Sequence, residues 1–171
     1  MTSRLAGVLG VAPYGESVVP WADDPGVVEF PDGRRIRGRG LRHPAPAGQE
    51  PEFGLYLLAR RPGSFRWEHR WVRWPDFRTP ASTRDAIAAI EEAYARSARE
   101  RVEIACRGGV GRTGTALAGI AVLAGVPSAD AVAWVRRRYN SRAVETPGQR
   151  RWVRKVERAI DDRGAHAPDA W

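Results

Sequence analysis

Between residues 102 and 114 the chain reads VEIACRGGVGRTG, and few backbones can carry such a run. Residues 101–105 form a short strand with Val102 and Ile104 on one face, and the strand runs into Cys106. Gly108, Gly109 and Gly111 then allow a tight turn whose N–H groups converge inward as an anion nest. Residues 113–123 follow as a mostly apolar helix of small side chains, suited to close burial against a sheet. Its N-terminus adds unpaired donors and partial positive charge at the same spot. Arg112 adds a planar fork that matches two phosphate oxygens. A cysteine at the mouth of such a nest is held as thiolate and becomes a usable nucleophile near neutral pH. A phosphate monoester bound there has its phosphorus above the Cys106 sulfur and its oxygens cradled by Arg107, Gly108, Gly109, Val110, Gly111 and Arg112. A lone cysteine after a strand is more often a small buried hydrophobe, and glycine loops serve many turns. The whole run, from cysteine through five residues to Arg-Thr-Gly and an apolar helix, is much harder to obtain as scaffolding. It is not a GxxxxGK[ST] nucleotide loop, because no lysine follows Gly111.

Strands and turns dominate the first half. Val27, Val28 and Phe30 lead into Pro31-Asp32-Gly33, after which residues 34–39 return as a hairpin. An apolar run occupies residues 8–11, residues 42–54 read as loop, and residues 53–59 and 67–74 read as strands. Arg61-Pro62-Gly63 ends the first of these strands and Pro75 the second. Helical periodicity then takes over. Ser82 caps a helix with Asp85 at the capping-box position and Ile87, Ile90 and Tyr94 on one stripe. Another helix starts at Ser128 with Val132, Val135 and Tyr139 inward. Thr146-Pro147-Gly148-Gln149 opens a last one, with a cap, a proline at the first position and a glutamine at the third. The pattern predicts a single α/β domain over residues 1–163, a central twisted mixed sheet flanked by helices, and a frayed tail over 164–171. The phosphate loop belongs at the C-terminal end of the strand that closes on Cys106. Strand order is not fixed by the pattern.

Composition narrows the function. A chain of 171 residues builds a core without staples, and one cysteine excludes an internal disulfide or a cysteine metal cluster. His43, His69 and His166 lack ligand spacing, so no metal and no cofactor are expected. No run of 18 apolar residues occurs, and the first 20 residues do not form a signal-peptide core, so the expected location is the cytoplasm. The formal charge of +8 favours anionic partners. Without a reading motif it does not argue for nucleic acid. Arg136-Arg137-Arg138 is either a docking row for an acidic surface or one solvated helical face. Trp21, Trp67, Trp71, Trp134 and Trp152 read as core or half-buried anchors.

Cys-x5-Arg followed by Thr113, with Trp74-Pro75-Asp76 placed 30 residues before Cys106, resembles the protein tyrosine phosphatase superfamily, in particular its small bacterial-type or dual-specificity-like members. The resemblance spans residues 71–160. It implies that Cys106 attacks phosphorus to form a phosphocysteine, that Arg112 clamps the phosphoryl oxygens and that the Thr113 hydroxyl stabilises the departing thiolate. Asp76, on a mobile loop, is implied as the general acid that later takes a proton from water. Ala105 stands where the family has a histidine, which removes one source of thiolate stabilisation. Glu145 and Gln149 occupy the two places where the family orients its hydrolytic water with glutamines, although Gln149 also suits the capping box. The expected partner is a phosphorylated protein, phosphotyrosine foremost, or a small phosphate monoester, with no nucleic acid or membrane and the chain acting as a monomer. No well-placed aromatic marks a phosphotyrosine-recognition loop: Tyr56 sits in a strand and Tyr14 in a glycine-rich turn. The loop's basic residues are Arg107 and Arg112, which make no case for a phosphoinositide site. Two alternatives remain at this level. One is a silent phospho-ligand module on the same fold. The other is sulfur transfer or arsenate reduction, for which the chain holds no resolving cysteine.

Overall fold

The computed structural model describes residues 19–165. Five strands, β1 (Val27–Glu29), β2 (Arg35–Gly40), β3 (Phe53–Leu58), β4 (Glu68–Arg73) and β5 (Val102–Cys106), form one mixed sheet in the order β1-β2-β5-β3-β4. Helix α1 (Thr83–Arg96) lies between β4 and β5, and α2 (Gly111–Leu123), α3 (Ser128–Arg138) and α4 (Pro147–Ala165) follow β5. Only β1 runs antiparallel, in the expected hairpin with β2. β5 is paired in parallel on both sides, with Gly38 opposite Ile104 on β2 and Leu55 opposite Ile104 on β3. Since β4 is also parallel to β3, four strands end at one edge of the sheet.

All five residues of β5 are buried, as expected for a central parallel strand. On one face Ile36, Leu55, Leu57, Val72, Val102 and Ile104 join the core beneath the helices. α2 lies against this face with α3 and α4 behind it, and it is buried from Gly111 to Val122. Its small residues make that burial feasible. At Gly119 an added Cβ would stand 2.8 Å from Ile90 Cδ1 and 3.5 Å from the Trp152 ring, so α1, α2 and α4 meet at a point that admits no side chain. The caps form as the sequence predicts. Ser82 Oγ accepts from Asp85 N at 3.1 Å, and Thr146 Oγ1 accepts from Gln149 N at 3.1 Å.

The opposite face is polar and buried. Glu103 is 0% exposed, and its Oε2 accepts from Arg37 Nη2 at 2.7 Å and lies 2.9 Å from Arg39 Nε. Arg37, 2% exposed, stacks its guanidinium 4.0 Å above the Trp21 ring and donates to the Gln49 carbonyl. Tyr56 closes the cluster beneath Phe65, and the Trp67 indole donates to its hydroxyl at 2.8 Å. A charge buried this deeply persists because two guanidinium groups stand against it.

Element limits depart from expectation by small amounts. β5 includes Cys106, and α2 begins at Gly111 because the loop closes by Val110. α4 runs through Ala165, so the first two residues of the expected tail are helical. Residues 8–11, Tyr14 and residues 166–171 lie outside the described residues. No helix among those described is long and apolar enough to cross a membrane. Replacing Glu103 with glutamine leaves Arg37 buried without its counter-charge, and the expected loss is about 3–5 kcal/mol in urea unfolding. A loss below about 1 kcal/mol, the range of an exposed pair, would show the cluster to be dispensable.

Candidate active site

Cys106 ends β5 and is 2% exposed. Backbone pairing continues one step beyond it, as Leu41 N donates to the Cys106 carbonyl and Arg42 N to that of Arg107. β2 and its extension thus form a rail for the loop. Gly109, at φ +76°, turns its N–H to the Cys106 sulfur at 3.1 Å. A Cβ there would lie 2.4 Å from Gly40 N, so both the dihedral and the contact require glycine. Tyr139 braces the loop from the helix side, packing over Gly38 and donating its hydroxyl to the Gly109 carbonyl. Burial, with the nearby Cys106 and Glu103 charges, pushes that hydroxyl far above its ordinary range and keeps it a donor.

Arg112, 3% exposed in the first turn of α2, reaches the loop that follows β4. Its Nη1 donates to the Trp74 carbonyl at 3.0 Å and its Nη2 lies 3.1 Å from Asp76 Oδ1. Trp74 anchors that loop in the core, beside Trp152 and with its indole donating to the Arg78 carbonyl. Asp76 is exposed at the loop tip and also accepts from Phe77 N. Phe77 itself takes φ +55° and projects outward.

A pocket of about 150 Å³ gathers Arg42, Asp76, Cys106, Arg107, Gly108, Val110 and Glu145. Glu145 leans over the start of α2, and its Oε2 occupies the space a Gly111 side chain would need. Gln149 does not reach this pocket. It is wholly buried, its Oε1 accepts from Glu145 N at 2.8 Å and from Thr146 N, and its Nε2 faces the Arg78 carbonyl. The helix cap has therefore claimed the glutamine that the resemblance placed beside water. Thr113 is buried, and its hydroxyl makes no hydrogen bond among the described residues, to the Cys106 sulfur included.

Other contributors carry no signal in the sequence. Arg136 is half-buried, donates to the Ala143 and Val144 carbonyls and shapes the turn before Glu145. A cleft of about 1030 Å³ shares Arg42, Asp76 and Arg107 with this pocket and adds Arg60, Arg61, Leu41 and Phe65. In the sequence Arg61 opens a turn and Arg60 carries no reading. Only the strand order carries them to the site.

The family model for protein-tyrosine phosphatase matches residues 59–143. Among solved structures, Tk-PTP in its active form is 25% identical, covers 78% of this chain and 97% of its own, and gives a TM-score of 0.62. Its G95A mutant form gives the same identity and TM-score. PTPMT1, at 13% identity and a TM-score of 0.47, covers 66% of this chain and 80% of its own. No curated protein matches the sequence. The chain belongs to the protein tyrosine phosphatase superfamily. It is a phosphatase of the single-domain α/β kind, a hydrolase by class.

Tyr139→Phe keeps the ring over Gly38 and removes the donor to Gly109. An unsatisfied buried carbonyl costs about 1–3 kcal/mol. The expected outcome is vanadate affinity weakened about tenfold, measured by calorimetry, with the fold retained. Unchanged affinity would show that Tyr139 does not hold the nest.

Proposed function

We propose that this phosphatase hydrolyses phosphate monoesters, protein phosphotyrosine foremost, through a phosphocysteine on Cys106. The observation that carries the reading is one small pocket that holds the Cys106 sulfur under a backbone N–H together with the Asp76 carboxyl group. The bound phosphoryl group takes its donors from the loop N–H groups and from Arg112, whose contact with Asp76 loosens as phosphate oxygens replace it. Sulfur attacks phosphorus, an S–P bond forms as the P–O bond breaks, and Asp76 donates a proton to the leaving oxygen. In the second step water attacks phosphorus, Asp76 takes the proton, and the thiolate departs with release of inorganic phosphate. The uncommitted hydroxyl of Thr113 supports its role as a donor to that thiolate. Glu145 lines the pocket and Gln149 does not, which supports Glu145 as the group that orients water. A lone thiol nucleophile works best where thiols stay reduced, which supports the cytoplasm as its compartment.

The test is a pH profile of phosphate release from p-nitrophenyl phosphate and a phosphotyrosine peptide. Cys106→Ser is expected to abolish turnover of both, and persistence of turnover would overturn the reading. Asp76→Ala is expected to lower the peptide rate by about 10²–10⁴-fold and to remove the alkaline side of a bell-shaped profile. The nitrophenyl ester should lose less, since its leaving group needs little proton assistance.

Glu145→Ala separates the two steps. If Glu145 orients water, this variant gives a nitrophenol burst followed by turnover slowed about tenfold or more. A variant with wild-type steady-state turnover and no burst would remove Glu145 from the second step.

A further inference from the structure

We infer that the outward face of α4 is a docking surface for an acidic segment of the protein substrate, one with Asp or Glu at alternate positions near the phosphorylated residue. The inference rests on the proposed phosphatase reaction and specifies its substrate class. Between residues 136 and 158 the chain carries nine basic side chains against two carboxylates, so +7 of the formal +8 falls within 23 residues. Five of those cations, Arg150, Arg151, Arg154, Lys155 and Arg158, are exposed on α4, whose other side buries Gln149, Trp152, Val153 and Val156. None of the five pairs with a carboxylate among the described residues. The two carboxylates of the stretch are engaged elsewhere: Glu157 accepts from Ser128 N at the start of α3, and Glu145 lines the pocket around Cys106. Arg136 is held by the Ala143 and Val144 carbonyls and Arg138 lies over the Trp134 ring, so the open row is on α4.

Within the fold this row is unfavourable. Like charges at i and i+4 repel along a helix, as at Arg150 and Arg154, Arg151 and Lys155, and Arg154 and Arg158. Cations near a helix N-terminus also oppose its dipole, and the first turn of α4 holds no acidic residue. α1 differs, since its Asp85 and Glu92 meet Arg70 and its Glu91 meets Arg163. An anionic partner answers the α4 row. Cations at i and i+4 stand about 6 Å apart along the helix axis, and same-side residues of an extended chain recur at about 6.6 Å. Carboxylates at alternate positions of a strand therefore fall in step with Arg150, Arg154 and Arg158, and guanidinium forks match them. From Arg150 to Arg158 the axis rises about 12 Å, the span of about five extended residues. A bilayer is the weaker match, because the apolar side of α4 faces the core. The exposed large hydrophobic residues among those described, Val19 and Phe77, lie outside α4. The row also starts beside the site. Arg150 follows the pocket residue Glu145 by five positions, and a Cβ at Gly148 would stand 3.6 Å from Thr79 Cγ2, on the loop that carries Asp76.

Fluorescence anisotropy on the C106S protein, which binds without turning over, would compare three phosphotyrosine peptides. Two carry Glu at alternate positions, one before and one after the phosphotyrosine, and the third carries Gln at all of those positions. The expected result at low salt is binding about tenfold tighter for at least one Glu peptide than for the Gln peptide. The difference should fall to about twofold or less near about 1 M salt. Adding R154E and R158E should likewise bring it to within about twofold at low salt. R84E and R99E, an equal charge change at exposed positions elsewhere, should leave it above about fivefold. Each charge introduced on α4 stands three or four residues from a remaining cation, so circular dichroism should show the helix content unchanged. Equal binding of all three peptides would overturn the inference. So would a preference that survives R154E and R158E, or one that R84E and R99E also remove. Cosedimentation with phosphatidylserine vesicles reads the bilayer: vesicle binding lost in R154E and R158E, without any peptide preference, would overturn the inference in favour of a membrane surface. Turnover of p-nitrophenyl phosphate by the wild-type chain is read separately: its absence refutes the phosphatase reaction, and the peptide comparison still decides the docking surface.

Discussion

The Glu103 carboxylate, buried on the helix-free face of the sheet and bound by Arg37 and Arg39 of β2, locks the central strand to its neighbour. A buried charge tolerates no slippage, because a shift of one residue would turn Glu103 into the apolar core and Ile104 away from it. With that register set, Gly40 stands opposite Cys106. The continuing strand then offers N–H groups to the carbonyls of Cys106 and Arg107. The position of Cys106 is thus a consequence of an ion pair on the other side of the sheet.

Close approach does the rest. Gly109 against the Gly40 backbone, Gly38 under the Tyr139 ring and Gly119 against Ile90 and Trp152 are places where a glycine lets a neighbour come close. The loop after Cys106 is held by β2 beneath, Tyr139 from the helix side and the first turn of α2. Preorganised N–H donors stabilise negative charge because they need not reorient when it develops. The loop tip at Asp76, by contrast, is exposed.

Parallel pairing accounts for the gathering of charge at one edge. β2, β3, β4 and β5 all end there, so the segments that follow them contribute Arg42, Arg60 with Arg61, Asp76 and the cysteine loop to one neighbourhood. This is the general location of ligands in sheets of this type. Here it also explains why residues spread over some 70 positions face a common opening.

Local chemistry was legible in the sequence. Cys106 with its glycines and Arg112, the Ser82 cap, the Thr146–Gln149 box and the hairpin around Pro31-Asp32-Gly33 are each dictated by residues within a few positions of one another, where turn sterics and capping bonds decide the outcome. Trp74-Pro75-Asp76 became a candidate through the family resemblance, and the Trp74 indole bond to Arg78 anchors that loop locally. Tertiary structure alone decided the strand order. That order carried Arg60 and Arg61 to the mouth of the site and brought Glu103 to its arginines. It alone assigned Tyr139 to the loop, turned Arg136 from a surface charge into a brace, and left Glu145 in the pocket while the helix cap held Gln149 away. Such contacts join residues tens of positions apart, and hydrophobic period and capping rules do not reach that far.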